Sequence, residues 1–141
     1  MVVDASGRIL VGGNYGIVRY LPDGTLDGSF GVNGLLSILR NVRDLAIDGQ
    51  QRIVASTGYR VQRFNPDSSV DQSYNNGQSL YTPNLFAGVY SEGMAVDSVA
   101  RILLPGSRYR WFADDPATTD FNERDNSHRN LVIGRLTVGG A

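Results

Sequence analysis

Residues 4–34 read DASGRILVGGNYGIVRYLPDGTLDGSFGVNG. Short apolar runs, Ile9-Leu10-Val11 and Ile17-Val18, are separated by Gly and Asn and followed by Leu21-Pro22-Asp23-Gly24. Proline presets φ for a tight turn, Asp bonds back to its own backbone, and Gly supplies a positive φ, so this is strand and turn chemistry. The same stretch occurs again. Residues 2–31 align without a gap on residues 46–75, at a constant offset of 44 (Asp4 on Asp48). Arg8 falls on Arg52, Ile9 on Ile53, Tyr15 on Tyr59, Arg19 on Arg63, Pro22 on Pro66, Asp23 on Asp67, Asp27 on Asp71 and Ser29 on Ser73. Other pairs are conservative, such as Tyr20 with Phe64 and Phe30 with Tyr74.

A third copy opens near Gly93, where Met94-Ala95-Val96-Asp97 matches Leu45-Ala46-Ile47-Asp48 and Arg101-Ile102-Leu103 matches Arg52-Ile53-Val54. After Gly106 the match breaks, and it resumes at Val132-Ile133-Gly134-Arg135-Leu136, with Arg135 on Arg19. The third copy therefore carries an insertion over about 107–130. The acidic residue that would follow Arg135 as Asp27 follows Arg19 lies beyond Ala141, so the last unit is expected to be truncated.

Each copy predicts short strands. In the second, Leu45 to Ile47 is a first strand, Arg52 to Ala55 a second, and Tyr59 to Phe64 a third. Alternation on the third puts Val61 and Arg63 on one face and Gln62 and Phe64 on the other. A fourth strand is expected from Leu26 in the first copy, continuing past Asn33-Gly34 into Leu35-Leu36-Ser37-Ile38. Short strands in fours at this repeat length are the period of a β-propeller blade. A Greek-key sandwich also has short strands, but it would not repeat the same turns, charges and aromatics at one offset. The predicted fold is all-β: four-stranded antiparallel blades, about three of them, in an incomplete propeller. The units are about 1–41, 42–92 and 93–141.

The pattern D-A-S-G-R-I-L-V-G-G, then I-V-R-Y-L-P-D-G-T-L-D-G-S-F-G, resembles the delta-60 repeat family. The resemblance implies propeller blades of the kind found in large bacterial proteins, often exported or surface-associated, and hence an extracellular or cell-surface location. It departs in the second copy, where Ser68 replaces Gly24 and Tyr74-Asn75 replaces Phe30-Gly31, and in the third at Pro105 and the insertion. It brings no shared catalytic motif.

Composition narrows the function classes. Thirteen basic against fourteen acidic residues leave a formal charge of −1, with no basic excess to attract nucleic acid. No apolar run approaches the roughly 18 residues of a membrane span. The absence of cysteine rules out disulfides, thiol catalysis and cysteine-ligated zinc. His128 is the sole histidine and no G-x-S-x-G elbow accompanies it, so no catalytic residue is assigned.

Four sets of side chains stand out. Arg19 with Asp27, and Arg63 with Asp71, are spaced to meet across a hairpin as structural ion pairs. Asp4, Asp48 and Asp97 recur at the end of the first strand, where an Asp caps a turn or lines a central channel able to hold a cation. In the insertion, Asp114, Asp115 and Asp120, with Glu123 and Asp125, are weak candidates for calcium, lacking EF-hand spacing. Arg108, Tyr109, Arg110 and Trp111 interleave aromatics with arginines, a composition suited to contacting a protein or stacking on sugar rings.

The sequence therefore predicts a non-catalytic scaffold or binding module for protein or glycan, needing no cofactor. Its partners would be copies of itself or the rest of a longer propeller, since three blades do not close a ring of ~4–8. The alternatives are a propeller lyase or hydrolase acting on glycans, and a calcium-stabilised surface adhesin.

Overall fold

The computed structural model of the chain describes residues 1–38, 40–81, 89–91, 93–97, 100–108 and 131–136. The chain is all-β, and its strands form three antiparallel sheets that are propeller blades. The first blade is a meander of β1 (Val2–Val3), β2 (Ile9–Gly13), β3 (Gly16–Tyr20) and β4 (Leu35–Ser37). The second repeats it with β5 (Asp44–Ile47), β6 (Ile53–Ser56), β7 (Arg60–Phe64) and β8 (Leu80–Tyr81). In the third, β11 (Ile102–Arg108) pairs along one edge with β12 (Leu131–Leu136) and along the other with both β9 (Val89–Ser91) and β10 (Ala95–Val96).

Register makes the repeat physical. Leu10 lies opposite Arg19, Val54 opposite Arg63, and Leu103 opposite Arg135. Ile9, Ile53 and Ile102 likewise face Tyr20, Phe64 and Leu136. A one-residue slip would turn every side chain to the wrong face, so this shared register is set by two-sided burial. Blade faces alternate by residue. The forward face of the first blade carries Val2, Leu10, Ile17 and Leu36, and it packs on the rear face of the second, Leu45, Ile53, Ala55 and Phe64. The forward face of the second blade, with Val54 and Val61, packs in turn on the rear face of the third, with Val96, Ile102 and Leu104. Leu10, Ile17, Ile53, Val61 and Ile102 are each at most 2% exposed, and each buried side chain of this size contributes about 1.5–3 kcal/mol. The first strands are the innermost: β5 packs beside β1 on one side and β10 on the other.

One expectation is corrected. The fourth strand of the first blade begins at Leu35, not Leu26. Leu26 makes a single bridge to Tyr20, and Asp27 then accepts from the Ser29 N–H, which turns the chain away from the sheet. Val89–Ser91 pairs with β11 of the third sheet. Ser107 and Arg108 continue β11, and the rest of the expected insertion lies outside the described residues. It joins β11 to β12, the connection that Asn14-Tyr15 makes in the first blade and 57–59 in the second.

Candidate functional site

The hairpin between the first two strands of each blade (β1–β2, β5–β6, and β10–β11) is closed by an Asp and an Arg four residues on. Asp4 Oδ1 accepts from the Ser6 and Arg8 N–H groups, and its Oδ2 accepts from Arg8 Nε at 2.6 Å. Asp48 does the same with the Gln50 and Arg52 N–H groups and with Arg52 Nε at 2.7 Å. Asp97 accepts from the Arg101 N–H and from Arg101 Nε. Each carboxylate is thus turned into its own hairpin, with both oxygens engaged. Burial would raise the Asp4 carboxyl, but the Arg8 and Ser6 donors outweigh it and hold it below the ordinary value. Asp4, Asp48 and Asp97 are therefore turn caps rather than a free ring of carboxylates.

The outer end of each of the first two blades holds a second cluster. Arg19 Nε donates to Asp27 Oδ2 at 2.8 Å, and Arg63 Nε to Asp71 Oδ2 at 2.6 Å. All four side chains are buried, with 2–7% of their surface exposed. The other oxygen of each Asp accepts from the N–H and hydroxyl of the serine two residues on, Ser29 or Ser73. Each guanidinium also lies over an aromatic ring, Arg19 over Phe30 at 4.3 Å and Arg63 over Tyr74 at 5.0 Å. The Ser29 hydroxyl, helped by the Ser29 N–H and Arg19, holds the Asp27 carboxyl low against the opposing effect of burial. For Asp71 burial is the largest influence and acts upward, but the Ser73 and Arg63 donors together bring the carboxyl below its ordinary value. Arg52 Nη1, 3.7 Å from Asp71 Oδ2, links the inner and outer clusters of the second blade.

Polar contacts also cross between blades. Arg19 Nη1 donates to the Pro66 carbonyl at 2.7 Å, the Gly31 N–H to Ser68 Oγ, and the Ala5 N–H to Gln51 Oε1. Across the next junction the Met94 N–H donates to Asp44 Oδ2 at 2.7 Å. Where the first two blades splay apart, a groove of about 410 Å³ opens. Its lining includes the half-buried apolar Leu36, Ile38 and Val70 and the polar Arg40, Arg60 and Gln62. Arg60 is oriented by Ser79 Oγ at 3.0 Å and by the Tyr81 ring at 5.2 Å.

Of the residues expected to contact a ligand, Arg108 belongs to β11, where its backbone pairs with Val89. Tyr109, Arg110 and Trp111 lie outside the described residues, as do the calcium candidates Asp114, Asp115 and Asp120 and the lone His128. Among the described residues, no three acidic or histidine side chains gather to hold a metal. Sequence reading missed the partners Arg8, Arg52 and Arg101, the aromatic lids Phe30 and Tyr74, and the groove. The first two left signals, D-x-x-x-R at the same place in all three repeats and D-x-S-aromatic in the first two. The groove left none, because it joins residues of different repeats.

Residues 5–30 match the sequence profile of a family described as a domain of unknown function (DUF5122) beta-propeller. The matched segment holds the hairpin turn, Arg19, Asp27 and Phe30 of the first blade. No curated protein matches the chain.

Proposed function

We propose that the chain is a non-catalytic propeller segment of the delta-60 repeat kind, acting outside the cell as a scaffold or binding module for protein or glycan in a larger bacterial assembly. The observation that carries this reading is the engagement of the repeated charges. Asp4, Asp48, Asp27 and Asp71 each have one oxygen on a guanidinium and the other on backbone or hydroxyl donors. A general acid or base needs a titratable oxygen within reach of substrate. These carboxylates instead close turns and hold blades together. The groove supports the binding half of the proposal: half-buried apolar side chains, Leu36, Ile38 and Val70, beside guanidinium and amide donors suit a sugar face or an extended peptide. The inserted segment with Tyr109, Arg110 and Trp111 adds a second contact surface by its composition.

The test is a titration of the protein with soluble bacterial polysaccharides and oligosaccharides. Fluorescence of Trp111, the sole tryptophan, reports binding, and reducing-end release reports cleavage. Saturable binding without new reducing ends is expected. Steady release of reducing ends would replace this reading with a glycan lyase or hydrolase. A melting temperature raised by calcium and returned by chelator would favour a calcium-stabilised adhesin.

A further inference from the structure

The groove between the first two blades is lined by residues that break the repeat. Strand register carries the offset of 44 (Asp4 on Asp48) on into the fourth strand. Gly16 faces Ser37 in the first blade as Arg60 faces Tyr81 in the second, and Ile17 faces Leu36 as Val61 faces Leu80. By this register Arg60, Gln62 and Ser79 stand where the first blade has Gly16, Val18 and Leu35. All three line the groove, half-buried, so their polarity is a property of this groove and not a requirement of the blade. Arg40, exposed in the connection from β4 to β5, supplies a second guanidinium. These two arginines differ from those that serve the fold. Arg8, Arg19, Arg52, Arg63 and Arg101 each donate from Nε to an aspartate. Among the described residues, neither Arg40 nor Arg60 pairs with a carboxylate, and no acidic side chain lines the groove. Arg60 is nevertheless held in place, by Ser79 Oγ at 3.0 Å and by the Tyr81 ring under its guanidinium.

We propose that this groove binds an acidic polysaccharide, with the carboxylate of a uronic acid residue set against Arg40 and Arg60. The argument is charge complementarity. Two cations without a counter-charge in one cleft attract an anion, and the planar fork of a guanidinium matches a carboxylate with two parallel hydrogen bonds. Arg60 is already oriented, so less side-chain freedom is lost when the anion arrives. The rest of the lining favours a sugar over a peptide. Ser37 and Gln62 offer hydroxyl and amide groups to ring hydroxyls. Leu36, Ile38 and Val70 are half-buried, and they present a shelf for the C–H face of a ring, not a closed pocket that would hold a peptide side chain. At about 410 Å³ the groove has the size of a small-ligand cleft. This rests on the binding-module reading and deepens it by naming the ligand class.

Isothermal titration calorimetry of the chain with tetragalacturonate tests the proposal, beside the fully methyl-esterified tetramer and tetraglutamate. Saturable binding of tetragalacturonate is expected. Esterification, which removes the charge and leaves the sugar, should weaken it at least about tenfold. Arg60→Gln and, separately, Arg40→Gln should each weaken it by a similar factor while keeping the parent's near-ultraviolet circular dichroism. Arg40 is exposed, so its variant carries the test even where Arg60→Gln disturbs Ser79 and Tyr81. A folded chain that ignores tetragalacturonate, or binds the methyl ester as tightly, overturns the proposal. So does unchanged affinity in both folded variants. Tighter binding of tetraglutamate overturns it in favour of an acidic peptide. A chain that takes up neutral oligosaccharides but not tetragalacturonate loses this inference and keeps the binding module. One that binds neither glycan nor peptide loses both.

Discussion

Arg19 and Pro66 meet across the junction of the first two blades, with Arg19 Nη1 on the Pro66 carbonyl while Nε of the same guanidinium holds Asp27 within its own blade. One planar cation thus ties the outer turn of its blade to the outer turn of the next. Arginine's fixed fork of donors permits this, whereas a lysine would present a single point charge.

Removing one member of this cluster should therefore cost more than an exposed ion pair does. Arg19→Ala leaves the buried Asp27 carboxylate without its cation, and Asp27→Ala leaves the guanidinium unpaired. Each is expected to destabilise by ~3–5 kcal/mol. Arg8→Ala, whose side chain is 28% exposed, should cost about 1 kcal/mol or less. Urea denaturation of the three variants measures the difference. Equal losses at positions 8 and 19 would contradict the assignment of Arg19 to a buried junction.

Acid should weaken the fold through the same aspartates. Asp4, Asp27 and Asp71 have carboxyls held lower in the folded chain than in the unfolded one, where the ordinary value is about 3.9. Below that value the unfolded chain takes up protons that the folded chain still refuses. Their contribution is whole above about pH 4 and lost as pH falls through the lower folded values. The urea midpoint should be flat from pH 7 to about pH 4.5 and drop below it. Asp27→Asn should start lower at neutral pH and show a shallower acid limb.

Tyr74 takes the place of Phe30 in the second blade, buried with 3% exposure, and its hydroxyl has no hydrogen-bond partner among the described residues. A buried donor left unmade costs about 1–3 kcal/mol, so Tyr74→Phe is expected to stabilise the chain by about 1 kcal/mol. Burial, opposed by the Arg63 charge, pushes the phenol up to about 12. An unfolded tyrosine ionises near 10, so the parent loses stability as pH rises from about 10 toward about 12. The Phe variant should lose less over that window in an alkaline denaturation series.

The hairpins β1–β2, β5–β6 and β10–β11 each hold a left-handed residue: Gly7 at φ 77°, Gln51 at 61° and Ala100 at 61°. Only glycine takes this conformation without steric cost. Ala100→Gly is expected to stabilise by up to about 1 kcal/mol, the relief of left-handed strain exceeding the added entropy of the unfolded chain. Gln51→Gly should gain less, because the Gln51 side chain accepts from the Ala5 N–H of the neighbouring blade. Paired thermal melts would show the difference.

Much of this architecture was legible from spacing. The offset from Asp4 to Asp48 gave the blade, and Pro22-Asp23-Gly24 and Asn65-Pro66-Asp67-Ser68 gave its outer turn. Arg19 with Asp27 and Arg63 with Asp71 could be paired because a hairpin brings residues at that separation together locally. The start of the fourth strand was misread at Leu26. Alternation cannot distinguish an extended residue from one whose neighbour, Asp27, bonds back to Ser29.

By itself the sequence determined what depends on near neighbours: the repeat, the turns, the in-blade ion pairs and the choice of β over α. Only the tertiary structure decided that Arg19 reaches Pro66, that Asp44 caps Met94, that Leu36 and Phe64 share a groove, and that Val11 lies exposed where Ala55 and Leu104 are buried. Those relationships join different repeats. Each blade carries the same pattern, so the pattern specifies a blade and its two faces. Which face is covered depends on the blades that stand beside it.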